Sequence, residues 1–275
     1  MIHDPSFISI GTNQTGIVSV TEVVTAAVFQ PIFNSYDTDI KIDQLSEEVF
    51  RKALEPGIFQ TPAVDLLGIS EESKRQLFMF KSTDSLDDLN KAFSTGLHRV
   101  LCRFEDEKQI YFLSQSDVVR FLHHLSETSA DVKQVAGKSL EHLSLTKHKN
   151  LITLSDKSTA LTGFRKMILH NEMSALPVIN EETGKLVATL AVEDLRGLSP
   201  NNFKNVLLPV LEFLRLSRRE FHGVVTVHKH SSLHQTMVKL INNKIHRVWL
   251  VEDEKPIGVV SLTDVIQLFT IYAPQ

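Results

Sequence analysis

The sequence predicts an α/β protein assembled from four tandem strand–helix–strand–strand–helix (βαββα) units. Two observations carry that prediction. The same order of β-branched runs and helical patterns recurs along the chain. Each recurrence also closes on one short signature: SVTEV at Ser19–Val23, SQSDV at Ser114–Val118, AVEDL at Ala191–Leu195 and SLTDV at Ser261–Val265. The acidic residues Glu22, Asp117, Asp194 and Asp264 are separated by 95, 77 and 70 residues, so the repeat is one of element order and not of fixed period.

Residues 1–30 hold only the second half of a unit. Phe7–Ile10 and Gly16–Val20 read as its hairpin and Val23–Phe29 as its closing helix, so the first repeat reads as truncated. Residues 31–73 form an insert. Within it Leu45, Val49 and Phe50 fall at helical spacing behind Asp43 or Ser46 as a cap, and Thr61-Pro62-Ala63-Val64 reads as extended. The insert is read as a solvated linker helix or as a docking segment for a partner. Residues 74–126 are the second repeat, with Leu86, Leu89 and Phe93 on its first helix. Residues 139–200 are the third, with a helix on Leu161, Phe164 and Ile168 and a hairpin around Glu181–Gly184. Residues 201–219 read as a linker helix on Val206, Val210 and Leu214, with Arg215, Arg218 and Arg219 complementing the dipole of its last turns.

The fourth repeat, residues 220–275, is the clearest. Val224–Val227 is a β-branched run. Leu233, Met237, Leu240 and Ile241 share one helix face behind Ser231 or Ser232 as cap. Val248–Val251 and Ile257–Leu262 read as strands joined by a turn at Glu252–Lys255 with Pro256 behind it, and Val265–Ile271 as the closing helix. One unit of about fifty residues is marginal alone, so the four are expected to pack as two pairs.

Composition narrows the functional classes. Lysine plus arginine number 29 against 33 aspartate plus glutamate, a balance with no general attraction for nucleic acid or an anionic membrane. The single cysteine, Cys102, sits in an apolar run and reads as a buried, inert thiol in a reducing compartment. The opening Met1-Ile2-His3-Asp4-Pro5 shows no secretory signal, and no apolar run reaches the ~20 residues needed to span a bilayer. A cytoplasmic or nuclear location is expected. There is no G-x-x-x-x-G-K-[ST] loop, no G-x-S-x-G elbow and no zinc spacing among the 12 histidines, so neither a catalytic residue nor a metal site is predicted.

With His246-Arg247-Val248 ahead of Ser261-Leu262-Thr263-Asp264, and with Ser174-Ala175-Leu176-Pro177-Val178 and Ser139-Leu140-Glu141 upstream, the repeats resemble CBS domains. Four in a row resemble the gamma regulatory subunit of AMP-activated and SNF-type protein kinases, and the long insert is closer to the plant-type gamma-like proteins. The resemblance implies a non-catalytic regulatory protein. It would bind AMP, ADP or ATP in clefts between paired repeats and modulate a kinase complex through its catalytic or scaffold subunits.

Site roles follow from that resemblance. The closing aspartates Asp117, Asp194 and Asp264 would accept the ribose hydroxyls, because an ionised carboxylate is acceptor-only; Glu22 is one methylene longer. Equally, these residues read as simple caps of the helices that follow. His98-Arg99 and His246-Arg247 lie 19 and 18 residues ahead of their aspartates and, with Ser261 and Thr263, would hold phosphate. The alternative is a solvated pair at the start of a strand. The third repeat departs: Asn171-Glu172 are read in place of His-Arg and Ala191 in place of serine, with Arg165 or Lys166 as compensating cations. Lys147, in the Thr146–Asn150 loop, and Ser174 are candidate contacts to base or phosphate. The second repeat carries Gln115 inside its signature, so the fourth reads as the most complete site.

Two other readings stay open: a structural or interaction protein with empty clefts, and a sensor of another adenosyl ligand such as S-adenosylmethionine, which would not need the basic pairs. The truncated first repeat gives a test. Residues 1–30 are expected to pack on the second repeat with weaker amide-exchange protection than residues 221–272; equal protection would count against a half-unit.

Overall fold

The computed structural model describes residues 78–104, 109–146, 151–170, 173–196, 202–217 and 223–271, together with two short strands near the start. These are β1 (Ile8–Ile10) and β2 (Gln14–Gly16), paired antiparallel with Ile8 opposite Gly16. The second strand therefore precedes most of the Gly16–Val20 run read as strand from sequence. Glu22, the insert 31–73, Lys147, Asn171-Glu172, Arg218 and Arg219 lie outside the described residues.

The chain divides into two compact units, residues 1–77 with 152–224, and residues 78–151 with 225–275. The second and fourth repeats thus share a unit although they are not consecutive, and residues 1–77 group with the third repeat, not with the second as expected for residues 1–30. The second repeat comprises β3 (Met79–Lys81), α1 (Leu86–Ser94), β4 (Arg99–Arg103), β5 (Ile110–Ser114) and α2 (Gln115–Thr128), followed by α3 (Ala130–Ala136). The fourth comprises β9 (Thr226–Val227), α6 (Leu233–Asn242), β10 (Arg247–Glu252), β11 (Lys255–Ser261) and α7 (Leu262–Ile271). In each, the first strand runs parallel to the second across the first helix, and the second and third form an antiparallel hairpin.

Local chemistry accounts for these elements. Ser85 accepts from the Asp88 backbone N–H, and Ser232 from the Gln235 N–H, so each first helix starts on a serine cap. In α1 Leu89 and Phe93 are buried while Leu86 stays exposed, which narrows the predicted apolar face. The β10–β11 turn is tighter than the sequence suggests. Asp253 and Glu254 take positive φ values of 48° and 62°, and the strand resumes at Lys255. Pro256 lies within β11, opposite Val251 where the register shifts. It is tolerated because β11 is an edge strand, where a residue without an N–H costs little.

The two repeats share one core. The first helix of each packs against the closing helix of the other, α1 on α7 and α6 on α2. Phe93, Val119 and Leu122 of one repeat and Leu233, Met237, Val265 and Ile266 of the other belong to a single buried cluster. Leu140 and Leu143, from the lead-in to the third repeat, complete it. That lead-in is tied to the fourth repeat by its backbone: Leu140 N–H donates to the Ser231 carbonyl and Glu141 N–H to the Lys229 carbonyl, both at 3.0 Å.

In the other unit the third repeat contributes β6 (Leu154–Ser155), α4 (Ala160–Leu169), β7 (Ala175–Ile179) and β8 (Leu186–Ala191). Gly163 lets α4 approach the sheet, since a Cβ there would lie 2.3 Å from Leu190 Cδ2 and 2.7 Å from Leu154 Cδ2. The closing helix expected after Asp194 is a single 3-10 turn, Val192–Leu195. Gly197 and Pro200 stand next in sequence and disfavour its continuation. Its place in the core is taken by residues read as a linker helix from sequence. These form a 3-10 helix, Phe203–Leu207, and α5, Val210–Ser217. Phe203, Val206, Val210, Phe213 and Leu214 are buried with Phe164 and Leu161, and Phe213 meets Phe164 edge-to-face at 5.6 Å.

The shared core makes a prediction about cooperativity. Phe93→Ala removes a fully buried ring and should cost about 3–5 kcal/mol. Amide exchange should then accelerate in α6 and α7 as well as in α1. Acceleration confined to residues 78–128 would show that the two repeats open separately.

Candidate functional site

The three described repeats build the same local frame. The carbonyl of the residue ahead of the middle strand accepts from the first N–H of the closing turn: His98 from Gln115 at 3.2 Å, Ser174 from Val192 at 2.9 Å, His246 from Leu262 at 3.0 Å. One residue later, Arg99 pairs with Ser114, Ala175 with Ala191, and Arg247 with Ser261. Three residues beyond that partner stands the closing aspartate. Hydrogen-bonded registry therefore gathers an arginine, a serine and a carboxylate at one corner of the second and fourth repeats, and two alanines and a carboxylate in the third.

This frame corrects the alignment drawn from sequence. Ser174-Ala175, and not Asn171-Glu172, occupy the place of the His-Arg pairs. Ser174 stands 20 residues ahead of Asp194, close to the 19 and 18 of His98 and His246, whereas Asn171 stands 23 ahead, so the reading of Asn171-Glu172 followed polar character and not spacing. The third repeat presents small side chains at that place, Ala175 opposite Ala191.

Each aspartate reaches back to the start of its own helix, so the capping reading holds in all three repeats. In the fourth, Asp264 Oδ2 accepts from the Ser261 N–H at 2.7 Å and the Ser261 hydroxyl at 2.6 Å, and the Asp264 N–H donates to Ser261 Oγ at 3.2 Å. In the second, Asp117 Oδ2 makes the corresponding contacts with Ser114 at 3.0 and 2.6 Å. In the third, Asp194 Oδ2 accepts from the Ala191 N–H at 2.8 Å, and alanine offers no hydroxyl.

The second carboxylate oxygen separates the repeats. Asp117 Oδ1 accepts from Arg120 Nη1 at 2.9 Å. Among the described residues no donor reaches Asp264 Oδ1. A carboxylate has about four acceptor positions, and Asp264 uses two of them, both on Oδ2. It can hold its helix and accept from a ligand at once.

The hydroxyls are not equivalent either. The Ser261 proton is committed to Asp264, so in this arrangement Ser261 supplies a phosphate with no donor. Thr263 Oγ1 accepts from Gln115 Nε2 of the second repeat at 2.9 Å, a contact with no local signal in the sequence. His98 and Arg99 are exposed, His246 is exposed and Arg247 is half-buried. The paired residues alternate about their strand starts, with the arginines registered to the serines. Lys166 donates to the Thr153 carbonyl at 3.1 Å, as Lys239 does to the Thr226 carbonyl, so Lys166 serves its own fold and is not a spare cation. Sequence reasoning missed this pair, although the thirteen-residue Thr–Lys spacing recurs in both repeats.

Cys102 is half-buried in β4, and burial, with Asp84 nearby, pushes its thiol up from the usual value. It is correspondingly a poor nucleophile at neutral pH. Among the described residues no group of three or more histidine, cysteine, aspartate or glutamate side chains could hold a metal ion, and no helix is long and apolar enough to cross a membrane.

Comparison with known proteins agrees with this architecture. Residues 219–270 match the CBS domain family model. The chain is 25% identical over 224 residues to the SNF1-related protein kinase regulatory subunit gamma-like PV42a of Arabidopsis thaliana, covering 70% of this chain and 62% of that protein. It is 26% identical over 229 residues to the 5'-AMP-activated protein kinase subunit gamma-3 of Bos taurus, covering 78% and 46%. The chain thus spans less than two thirds of either relative. The solved structure of protein MJ1225 from Methanocaldococcus jannaschii superposes with a TM-score of 0.62 at 16% identity, over 94% of this chain and 85% of that one, a likeness of fold.

The cap bonds can be tested apart from any ligand. Ser261→Ala removes a hydroxyl that both gives to and takes from Asp264 and should cost about 1 kcal/mol of stability. Ala191→Ser supplies the missing hydroxyl in the third repeat, where the backbone is already extended at φ −130° and ψ 155°, and should raise stability. Thermal or urea unfolding of the two variants measures both signs.

Proposed function

We propose that this CBS-domain protein is a non-catalytic regulatory module that binds an adenine nucleotide at the fourth repeat and transmits occupancy to a kinase complex. The observation that supports it most is the divided carboxylate of Asp264, with Oδ2 held by Ser261 and Oδ1 open among the described residues. Arg247, registered opposite Ser261, brings a guanidinium to the same corner. A ribose needs acceptors for two hydroxyls and a phosphate needs a fixed cation. The similarity to kinase gamma subunits supports the class of ligand and partner. AMP, ADP and ATP all fit this chemistry.

Regulation would be by linkage. A nucleotide that favours one arrangement of the repeats shifts the bound kinase toward the state that shares that arrangement, and kinase binding changes nucleotide affinity by the same factor. The second and third repeats are the weaker candidates. Asp117 is already paired with Arg120, and the third repeat has Ala175 and Ala191 where the fourth has Arg247 and Ser261. Those two features also favour a second reading, in which these repeats are scaffold only. His98, Arg99 and Lys147 would then hold no ligand.

Calorimetry decides between the readings. Wild type should bind AMP, and adenosine more weakly, with no turnover of ATP. Arg247→Ala should weaken AMP about ten- to a hundredfold, the equivalent of roughly 1.5–3 kcal/mol for a charge-assisted contact, and leave adenosine nearly unchanged. Asp264→Ala should weaken both, with its melting temperature measured in parallel because the cap is also lost. Binding of S-adenosylmethionine in place of AMP would favour the other adenosyl ligand, and no adenosyl binding at all would favour the scaffold.

A further inference from the structure

Gln115 is an unexpected residue at the start of a closing helix. Its side chain is 5% exposed and leaves its own repeat for the fourth. Its Nε2 lies 2.9 Å from Thr263 Oγ1 and 3.4 Å from the Phe93 carbonyl. The carbonyl can only accept, so the amide nitrogen must face this side, and turning the amide over would set two acceptors against each other. Thr263 is therefore the acceptor in the Gln115 bond, and its own proton points elsewhere. Among the described residues that proton has no acceptor. Thr263 precedes Asp264 in the first turn of α7, where backbone N–H groups also favour negative charge.

We infer that Gln115 is a positioning residue for the fourth repeat's anion contact: it holds Thr263 Oγ1 as an acceptor so that the Thr263 hydroxyl donates to a ligand phosphate. The inference rests on the nucleotide reading above and adds to it. The site becomes composite, with the ribose acceptor and the phosphate donor from the fourth repeat and the group that aims the donor from the second. The presence of Gln115 inside the second repeat's signature then counts as a contribution to its neighbour.

The experiment is a double-mutant cycle read by calorimetry with AMP and with adenosine. Gln115→Leu and Thr263→Val should each weaken AMP about tenfold, the size of one directed hydrogen bond to a charged group, while adenosine changes little. Adding Gln115→Leu to Thr263→Val should cost nothing further, and Thr263→Ser should retain AMP affinity. A merely structural role for Gln115 would weaken AMP and adenosine alike, and that outcome overturns the inference. So does a full additional loss in the double variant. Should Gln115→Leu fail to fold, Thr263→Val still decides, since unchanged AMP affinity there leaves Gln115 no hydroxyl to aim. Failure of wild type to bind AMP or adenosine is a separate result: it defeats the nucleotide reading itself and this inference with it.

Discussion

The exchange of helices between the second and fourth repeats is the constraint on which the rest of this structure depends. The first and closing helices of each repeat carry apolar residues that are buried in the joint core. Packing the first helix of each repeat on the closing helix of the other removes both apolar faces from water in one step. Full burial of a leucine, phenylalanine or methionine stabilises by about 1.5–3 kcal/mol, so a joint core supplies what neither fifty-residue unit holds alone. The cost is topological. The third repeat lies in sequence between two halves of one unit, and the chain must leave that unit and return to it.

The lead-in segments reflect this arrangement. Residues 138–145 precede the third repeat in sequence but are hydrogen-bonded and buried with the second and fourth. Leu208–Val210 precede the fourth repeat but bond to Ser158–Ala160 of the third, with Ala160 N–H donating to Leu208 at 3.1 Å and Val210 N–H to Ser158 at 2.9 Å. Each segment is retained by the unit it departs from. Residues 203–217 are needed there, because the third repeat stops after one 3-10 turn where its relatives in the chain have a full helix.

The order of elements, the helix faces and the closing signatures were legible in the sequence because each is a local pattern: Leu233, Met237 and Leu240 at helical spacing, Ser232 as cap, the short apolar run Val248–Val251. The partner of each repeat was not, since periodicity says which face is apolar but not what covers it. The displaced equivalence of Ser174-Ala175 escaped for a related reason. Ser174-Ala175 do not resemble a His-Arg pair in type, and strand registry, with Ala175 opposite Ala191, is what establishes the equivalence. Gln115 was visible as an irregularity, but its target, 148 residues away, belongs to tertiary structure alone. Of the candidate site residues, the chemistry of Asp264 and Thr263 was legible as type, and the allocation of their individual oxygens and protons was not.

That allocation bears on how such signatures should be read. A serine followed three residues later by aspartate is a capping box before it is anything else, and the fold requires its hydrogen bonds whether or not a ligand ever binds. Asp117, Asp194 and Asp264 all meet that requirement through Oδ2, so the signature itself cannot distinguish a binding repeat from a scaffold. The distinction lies in the remaining oxygen and in what stands across the hairpin. Where Arg120 takes Oδ1, the carboxylate is neutralised within its own helix. In the third repeat alanines face each other across β7 and β8 where the fourth has Arg247 and Ser261. At Asp264 the capping bonds hold the carboxylate in place, Oδ1 faces no protein donor among the described residues, Thr263 precedes it in sequence and Arg247 is registered opposite Ser261. In the proposed site the cap would do for a ligand what it does for the helix, fixing a charged acceptor in advance so that little conformational entropy would remain to be lost on binding.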